Sequence, residues 1–183
     1  PDVNKTLQRK LNEGLLVLDY VGHGGTEALS DEKVITHNDI LGYKYEHLPL
    51  WITTTCDFCR FDDIQTSAGE DVFLNKKSGG IALFTTSRVS FTDINRIVNN
   101  DLISGLFVNE GYKNNSLGDI IKSMKRNTTD GRKLGFCLIG DPALRLSYPQ
   151  YNVSITSINE KPVGDSVVQF KAFEKVTISG YIQ

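Results

Sequence analysis

The sequence predicts an α/β fold, with a mostly parallel sheet covered by helices on its faces and then the opening strands of a small β-sandwich. Three observations lead there. Short apolar runs of strand length alternate with stretches of helical period up to about residue 148, which is the pattern of a parallel sheet whose crossovers are helices. Three of those runs end in small polar or reactive residues, where an open parallel sheet binds its ligands. Beyond Pro149 the helical period disappears and apolar and polar residues alternate. The expected division is therefore 1–149 for the α/β domain and 150–183 for the start of the sandwich.

Each element has its own local reason. Thr6–Asn12 reads as the end of an amphipathic helix, with Leu7 and Leu11 on one face and Gly14 placed to close it. Leu15–Val21 is a buried strand running into Gly22-His23-Gly24-Gly25, where glycines let the chain turn sharply. A short helix is expected around Asn38–Leu41. Leu50–Thr55, rich in β-branched residues, forms a second strand that ends at Cys56. Ser67 with Glu70 three residues on makes a capping box for a helix through Lys77, stopped by Gly79-Gly80. Ile81–Thr86 is a third strand. Thr92–Asn109 and Leu117–Arg126 are helical, the latter capped by Ser116. Phe136–Ile139 is a fourth strand, followed by a turn at Gly140-Asp141-Pro142. Tyr151–Ile158 and Val176–Ile182 alternate as strands, with Asn159-Glu160-Lys161-Pro162 turning between them.

Composition removes several function classes. The 183 residues carry a formal net charge of -2, with 39% hydrophobic and 23% charged residues, an ordinary globular balance. No basic block marks a nucleic-acid surface, and no apolar run nears the ~20 residues of a membrane helix. Pro1-Asp2-Val3-Asn4-Lys5 has neither an initiator Met nor a signal-peptide core, so the chain reads as a piece or processed form of a longer protein. Three cysteines are too few for a disulfide framework.

The strand ends carry the chemistry. A His at one strand end and a Cys at the next converge in space although ~30 residues apart, and His23 would draw the proton from Cys56 to make a nucleophilic thiolate. Gly24 and Gly25, with the Cys56 amide, would bind a developing oxyanion. Ser87 and Arg88, at the third strand end, would border the substrate cleft. The motifs Tyr20-Val21-Gly22-His23-Gly24-Gly25, Thr54-Thr55-Cys56-Asp57-Phe58 and Leu138-Ile139-Gly140-Asp141-Pro142-Ala143-Leu144 resemble the gingipain family of the caspase-like peptidase clan. Arg60-Phe61-Asp62-Asp63, Ser67-Ala68-Gly69-Glu70 and Gly79-Gly80-Ile81-Ala82 are similar to its PorU-type branch, the C-terminal signal peptidases, or sortases, of type IX secretion in Bacteroidetes. The resemblance covers roughly residues 12–148. It implies a caspase-like three-layer sandwich followed by an immunoglobulin-like module, and a secreted or surface-held cysteine endopeptidase with Cys56 and His23 as its catalytic pair. It also implies polypeptide substrates, among them the C-terminal sorting domains of exported proteins, and a lipopolysaccharide amine as acyl acceptor. The acid that orients the histidine in that family would precede Pro1.

Other readings compete. A peptidase-like domain without activity would serve as a binding scaffold for exported proteins. Cys56-Asp57-Phe58-Cys59 is also a Cys-x-x-Cys, the signature of a thiol–disulfide oxidoreductase, although it lacks the Trp and Gly-Pro expected there. Cys59 and Cys137 read as small buried residues, and His37 and His47 as surface residues. Asp57, Asp62, Asp63, Glu70 and Asp71 offer the hard oxygen ligands that calcium takes; a solvated acidic face and charge selection of a basic substrate residue are the other accounts. No zinc-site spacing is present, and no organic cofactor is expected.

Overall fold

A computed structural model describes residues 3–109, 111–164 and 169–183. They divide into two compact units, 1–146 and 147–183. The first contains a four-stranded sheet built from β1 (Val17–Val21), β4 (Leu50–Thr54), β5 (Ala82–Thr86) and β6 (Phe136–Ile139), in the order β1-β4-β5-β6. Between β1 and β4 lies a two-stranded hairpin, β2 (Ala28–Leu29) and β3 (Ile35–Thr36). β1, β4 and β5 run parallel, and β6 returns antiparallel beside β5. The mostly parallel sheet is as expected.

Every residue of β4 and β5 is buried, as a central parallel strand must be when both of its faces are covered. Successive side chains alternate between those faces. Trp51 and Leu83 enter a cluster with Leu11 of α1 (Val3–Glu13), Ile40 of α2 (His37–Gly42) and Val72 of α3 (Ala68–Leu74). Ile52 and Phe84 alternate to the opposite face, where α4 (Thr92–Phe107) packs on β1 and β4 and α5 (Leu117–Asn127) packs on α4. Phe84 stacks on Phe136 of β6, ring centroids 6.0 Å apart. The result is helices, sheet, helices.

The capping box of Ser67 and Glu70 on α3 forms as expected, and Ser116, the expected cap of α5, makes a box with Asp119 as well. α3 ends at Leu74 rather than Lys77, because Gly79 turns the chain back beneath it. Gly79 has φ +106°, and a Cβ there would meet the Val72 carbonyl at 2.1 Å. Its peptide is clasped by the buried Tyr45 hydroxyl, which donates to the Gly79 carbonyl at 2.7 Å and accepts from its N–H at 2.9 Å.

The second unit is a three-stranded antiparallel sheet of β7 (Val153–Ile158), β8 (Lys161–Pro162) and β9 (Ile178–Ile182), in the order β8-β7-β9. Asn159 and Glu160, both at positive φ, join β7 to β8 as a two-residue turn of the kind that matches strand twist. Among the described residues no helix is long and apolar enough to cross a membrane.

Candidate active site

The parallel arrangement of β1 and β4 pairs Val21 with Thr54, so both strands stop at one rim of the sheet. The turns that follow carry His23 and Cys56. These two residues line a single cavity of about 290 Å³ together with Val21, Gly22, Ser90, Phe91, Thr92 and Asn95. The cavity stands beyond the carboxyl ends of the strands, the position where an open α/β sheet receives a ligand.

The two turns touch through Gly24 and Thr55. A Cβ on Gly24 would lie 2.5 Å from Thr55 Oγ1 and 3.1 Å from its Cγ2, so only glycine permits this approach. A third element ties them from the side. The first amides of α3 reach both turns, with the Ala68 N–H donating to the Thr26 carbonyl at 2.7 Å and the Gly69 N–H to the Phe58 carbonyl at 2.9 Å. Ser67-Ala68-Gly69 is thus the clasp between the histidine turn and the cysteine turn, a role its sequence did not announce.

The cysteine turn is pinned to β5 and the loop after it. Asp57 adopts φ +47°, a conformation that Asp tolerates better than most residues. Its N–H donates to the Arg88 carbonyl at 3.2 Å, and the Cys59 N–H donates to the Thr86 carbonyl at 3.0 Å. Cys56 Sγ is half-exposed and held by the backbone of one residue, since the thiol donates to the Ser90 carbonyl at 3.2 Å and accepts from the Ser90 N–H at 3.3 Å. The Ser90 hydroxyl donates in turn to Asn95 Oδ1 at 2.5 Å. His23 is exposed, and its carbonyl accepts from the Tyr20 hydroxyl and the Ser30 N–H, each at 2.7 Å. The Glu32 carboxyl is held below its ordinary range, first by the Ser30 hydroxyl, then by its own N–H, and lastly by the charge of His23.

Some expected roles narrow. Of the two glycines, Gly25 donates its N–H to the Ala28 carbonyl at 3.0 Å, so that amide is taken by the β2–β3 hairpin. The Gly24 and Cys56 amides enter no loop hydrogen bond among the described residues. Ser87 and Arg88 do not line the cavity. The Ser87 N–H donates to the Gly135 carbonyl at 3.0 Å, and the Arg88 guanidinium forks onto the Asp62 carboxylate at 3.0 and 2.6 Å. Two residues further on, Ser90 and Phe91 line the cavity instead. Ser90 and Asn95 were not among the expected site residues. Their signal lay in Asn95 and Asn99, polar residues four apart on the same buried face of α4 as Ile94 and Val98.

The acidic residues after the nucleophile disperse rather than converge. Asp62 pairs with Arg88, Glu70 accepts from Ser67, and Asp71 Oδ2 lies 2.7 Å from His37 Nδ1. His37 is therefore half-buried against a carboxylate rather than a solvated surface residue. Among the described residues no three His, Cys, Asp or Glu side chains gather as a metal site. Burial lifts the Cys59 thiol to about 12, and the same cause raises Cys137.

The comparisons with known proteins fit this geometry. The model of peptidase family C25 matches residues 1–147. The chain belongs to peptidase family C25. No curated protein matches it. Among solved structures it is similar to one described as "Structure of Protease", at 17% identity and a TM-score of 0.66, covering 92% of this chain and 42% of that one. It is also similar to the Arg-specific cysteine proteinase gingipain R, at 15% identity and a TM-score of 0.67, covering 83% and 39%. A complex of the RgpB pro- and mature domains from Porphyromonas gingivalis matches at 16% identity and a TM-score of 0.66, covering 83% and 40%. The chain thus spans about two-fifths of each of these structures. At such identities the likeness is one of fold, and the C25 fold accounts for the three layers, the parallel sheet and the shared rim.

Proposed function

We propose that this chain supplies the catalytic pair of a cysteine endopeptidase, with Cys56 as nucleophile and His23 as general base. The observation that carries the reading is the common cavity at the ends of two adjacent parallel strands, lined by the half-exposed sulfur and the imidazole. His23 takes the thiol proton, and the thiolate adds to a peptide carbonyl. The oxyanion then forms beside the Gly24 and Cys56 amides, each such donor being worth a few kcal/mol in comparable sites. The tetrahedral adduct collapses, the C–N bond breaks, and His23 returns its proton to the departing amine, leaving a thioester on Cys56. Water or a second amine then attacks that thioester.

Two features favour the PorU-type branch over gingipains of basic specificity. Ser67-Ala68-Gly69-Glu70 resembles that branch and holds both functional turns here. Arg60-Phe61-Asp62-Asp63 also resembles it, and Asp62 anchors Arg88. On this reading the substrates are exported proteins cut ahead of a C-terminal sorting domain, an amine of lipopolysaccharide can take the acyl group, and the protein acts outside the cell or at its surface. The C-terminal strands then open an immunoglobulin-like module.

Substitution tests the pair. Cys56→Ala should abolish cleavage of exported-protein substrates with little change in thermal unfolding, because a small residue at a strand end contributes little packing. His23→Ala should reduce activity as far, since members of such a unit fail together. Rapid labelling of Cys56 by an alkylating reagent at neutral pH should be lost with His23. Undiminished cleavage by Cys56→Ala would end this reading, and labelling indifferent to His23 would favour an inactive binding scaffold.

A further inference from the structure

Asn95 is the buried polar feature of the cavity that the proposed chemistry leaves unused. It sits in the first turns of α4, 5% exposed, on the wall that Cys56 and His23 also line. Its amide is oriented from one side, because the Ser90 hydroxyl donates to Oδ1 at 2.5 Å. That leaves Nδ2 as the outward group. No acceptor among the described residues takes its hydrogens, and the atom is not sealed from the cavity. A donor covered by an occupant and left without a partner is costly, so an occupant that offers an acceptor is favoured over one that does not.

The remaining walls disfavour charge. Val21, Gly22 and Phe91 are apolar. One face of the Phe91 ring carries Arg132, whose guanidinium carbon lies 5.4 Å from the ring centroid. Arg132 is itself tied to Asp93 and Asp130, so its charge is fixed there. A charged occupant of either sign would lose its water among these apolar walls. Of the two sides of the scissile bond, the cavity suits the one whose carbonyl becomes joined to Cys56 Sγ, because the buried Asn95 forms part of its wall whereas His23, which protonates the departing amine, is an exposed residue.

Building on the peptidase reading above, we propose that Asn95 is a specificity-determining residue. The residue it selects, on the acyl side of the cut, is uncharged and carries a hydrogen-bond acceptor: serine, threonine, asparagine or glutamine. Threonine and valine have nearly the same shape, so their comparison isolates the hydrogen bond. A site built to bond a polar group discriminates against the analogue that lacks it.

The test uses peptidyl acyloxymethyl ketones that differ only in the residue next to the ketone. The Cys56 thiolate forms a C–S bond to the methylene as the C–O bond breaks and the carboxylate leaves, and mass spectrometry locates the adduct. Labelling of Cys56 should be about tenfold faster with threonine than with valine, and slower still with arginine. Asn95→Leu should bring the threonine-to-valine ratio close to one. Asn95→Asp, which keeps the shape and the bond from Ser90, should move preference toward arginine, and it serves where the leucine variant fails to fold. Equal rates for threonine and valine, or fastest labelling by the arginine probe, would overturn the role of Asn95 while leaving the peptidase reading intact. Reaction of Cys56 no faster than that of free cysteine with every probe would overturn both.

Discussion

At the scale of single residues, the site depends on a contact that tolerates no added atom. Gly24 and Thr55 meet where the histidine turn approaches the cysteine turn, with room for a hydrogen but none for a methyl group. Gly24→Ala should destabilise the fold by about 1–3 kcal/mol, the usual consequence of overpacking, and should slow Cys56 alkylation by separating the two turns. Because the clash falls on the Thr55 side chain, Gly24→Ala with Thr55→Ala should recover most of both losses, as read by thermal melts and labelling rates. Independent, additive losses would show that the contact does not set the distance between the turns.

The pairing of β1 with α4 shows a different balance at the scale of elements. Asp19 of β1 keeps an exposed edge, while its Oδ2 accepts from Asn99 Nδ2 at 3.0 Å. Desolvation raises its carboxyl above the ordinary range, against the lowering effect of Asn99. Asn99 Oδ1, on the same amide, is buried without a protein partner. A group whose folded pKa is raised contributes most when protonated, below the unfolded value near 4, and that contribution is lost as pH rises through the folded value. Asp19→Asn removes the charge and offers Asn99 Oδ1 a donor. Its Tm should exceed that of the parent at pH 7, and the difference should shrink as pH falls below about 4. A lower Tm for the variant at both pH values would refute this account. The same two elements carry Val21 and Asn95 to the cavity wall, so the strain at one level of the interface lies next to the site at the other.

For the whole molecule, burial separates the two units. β4 and β5 are buried along their full length, whereas every residue of β9 and half of those of β7 are exposed, and no β7 residue is buried. Hydrogen exchange should therefore find the amides of β7–β9 exchanging orders of magnitude faster than those of β4 and β5, which open only with the global transition. Equal protection in the two sheets would refute the reading of the second unit as the weaker one.

The sequence alone determined the order of the main strands and helices (not the short β2, β3 and β8), the parallel core, and the two residues at the strand ends. Those follow from local signals: apolar runs such as Ile81–Thr86 suit a doubly covered strand, capping boxes such as Ser67-Glu70 start helices, and glycines around His23 mark a turn. The turn after β7 was legible for the same reason, but it closes within Asn159-Glu160, and Lys161-Pro162, expected in the turn, pair with β7 as β8. Only the tertiary structure decided which amide of the Gly24-Gly25 pair stays free, that Arg88 serves Asp62 rather than the cavity, and that Ser90 and Asn95 complete the wall. Those outcomes depend on pairs such as Cys56 with Ser90 and Ala68 with Thr26, which lie more than thirty residues apart. No periodicity records such pairs, because hydrogen-bond partners across a fold are chosen by where the packed elements leave their donors and acceptors.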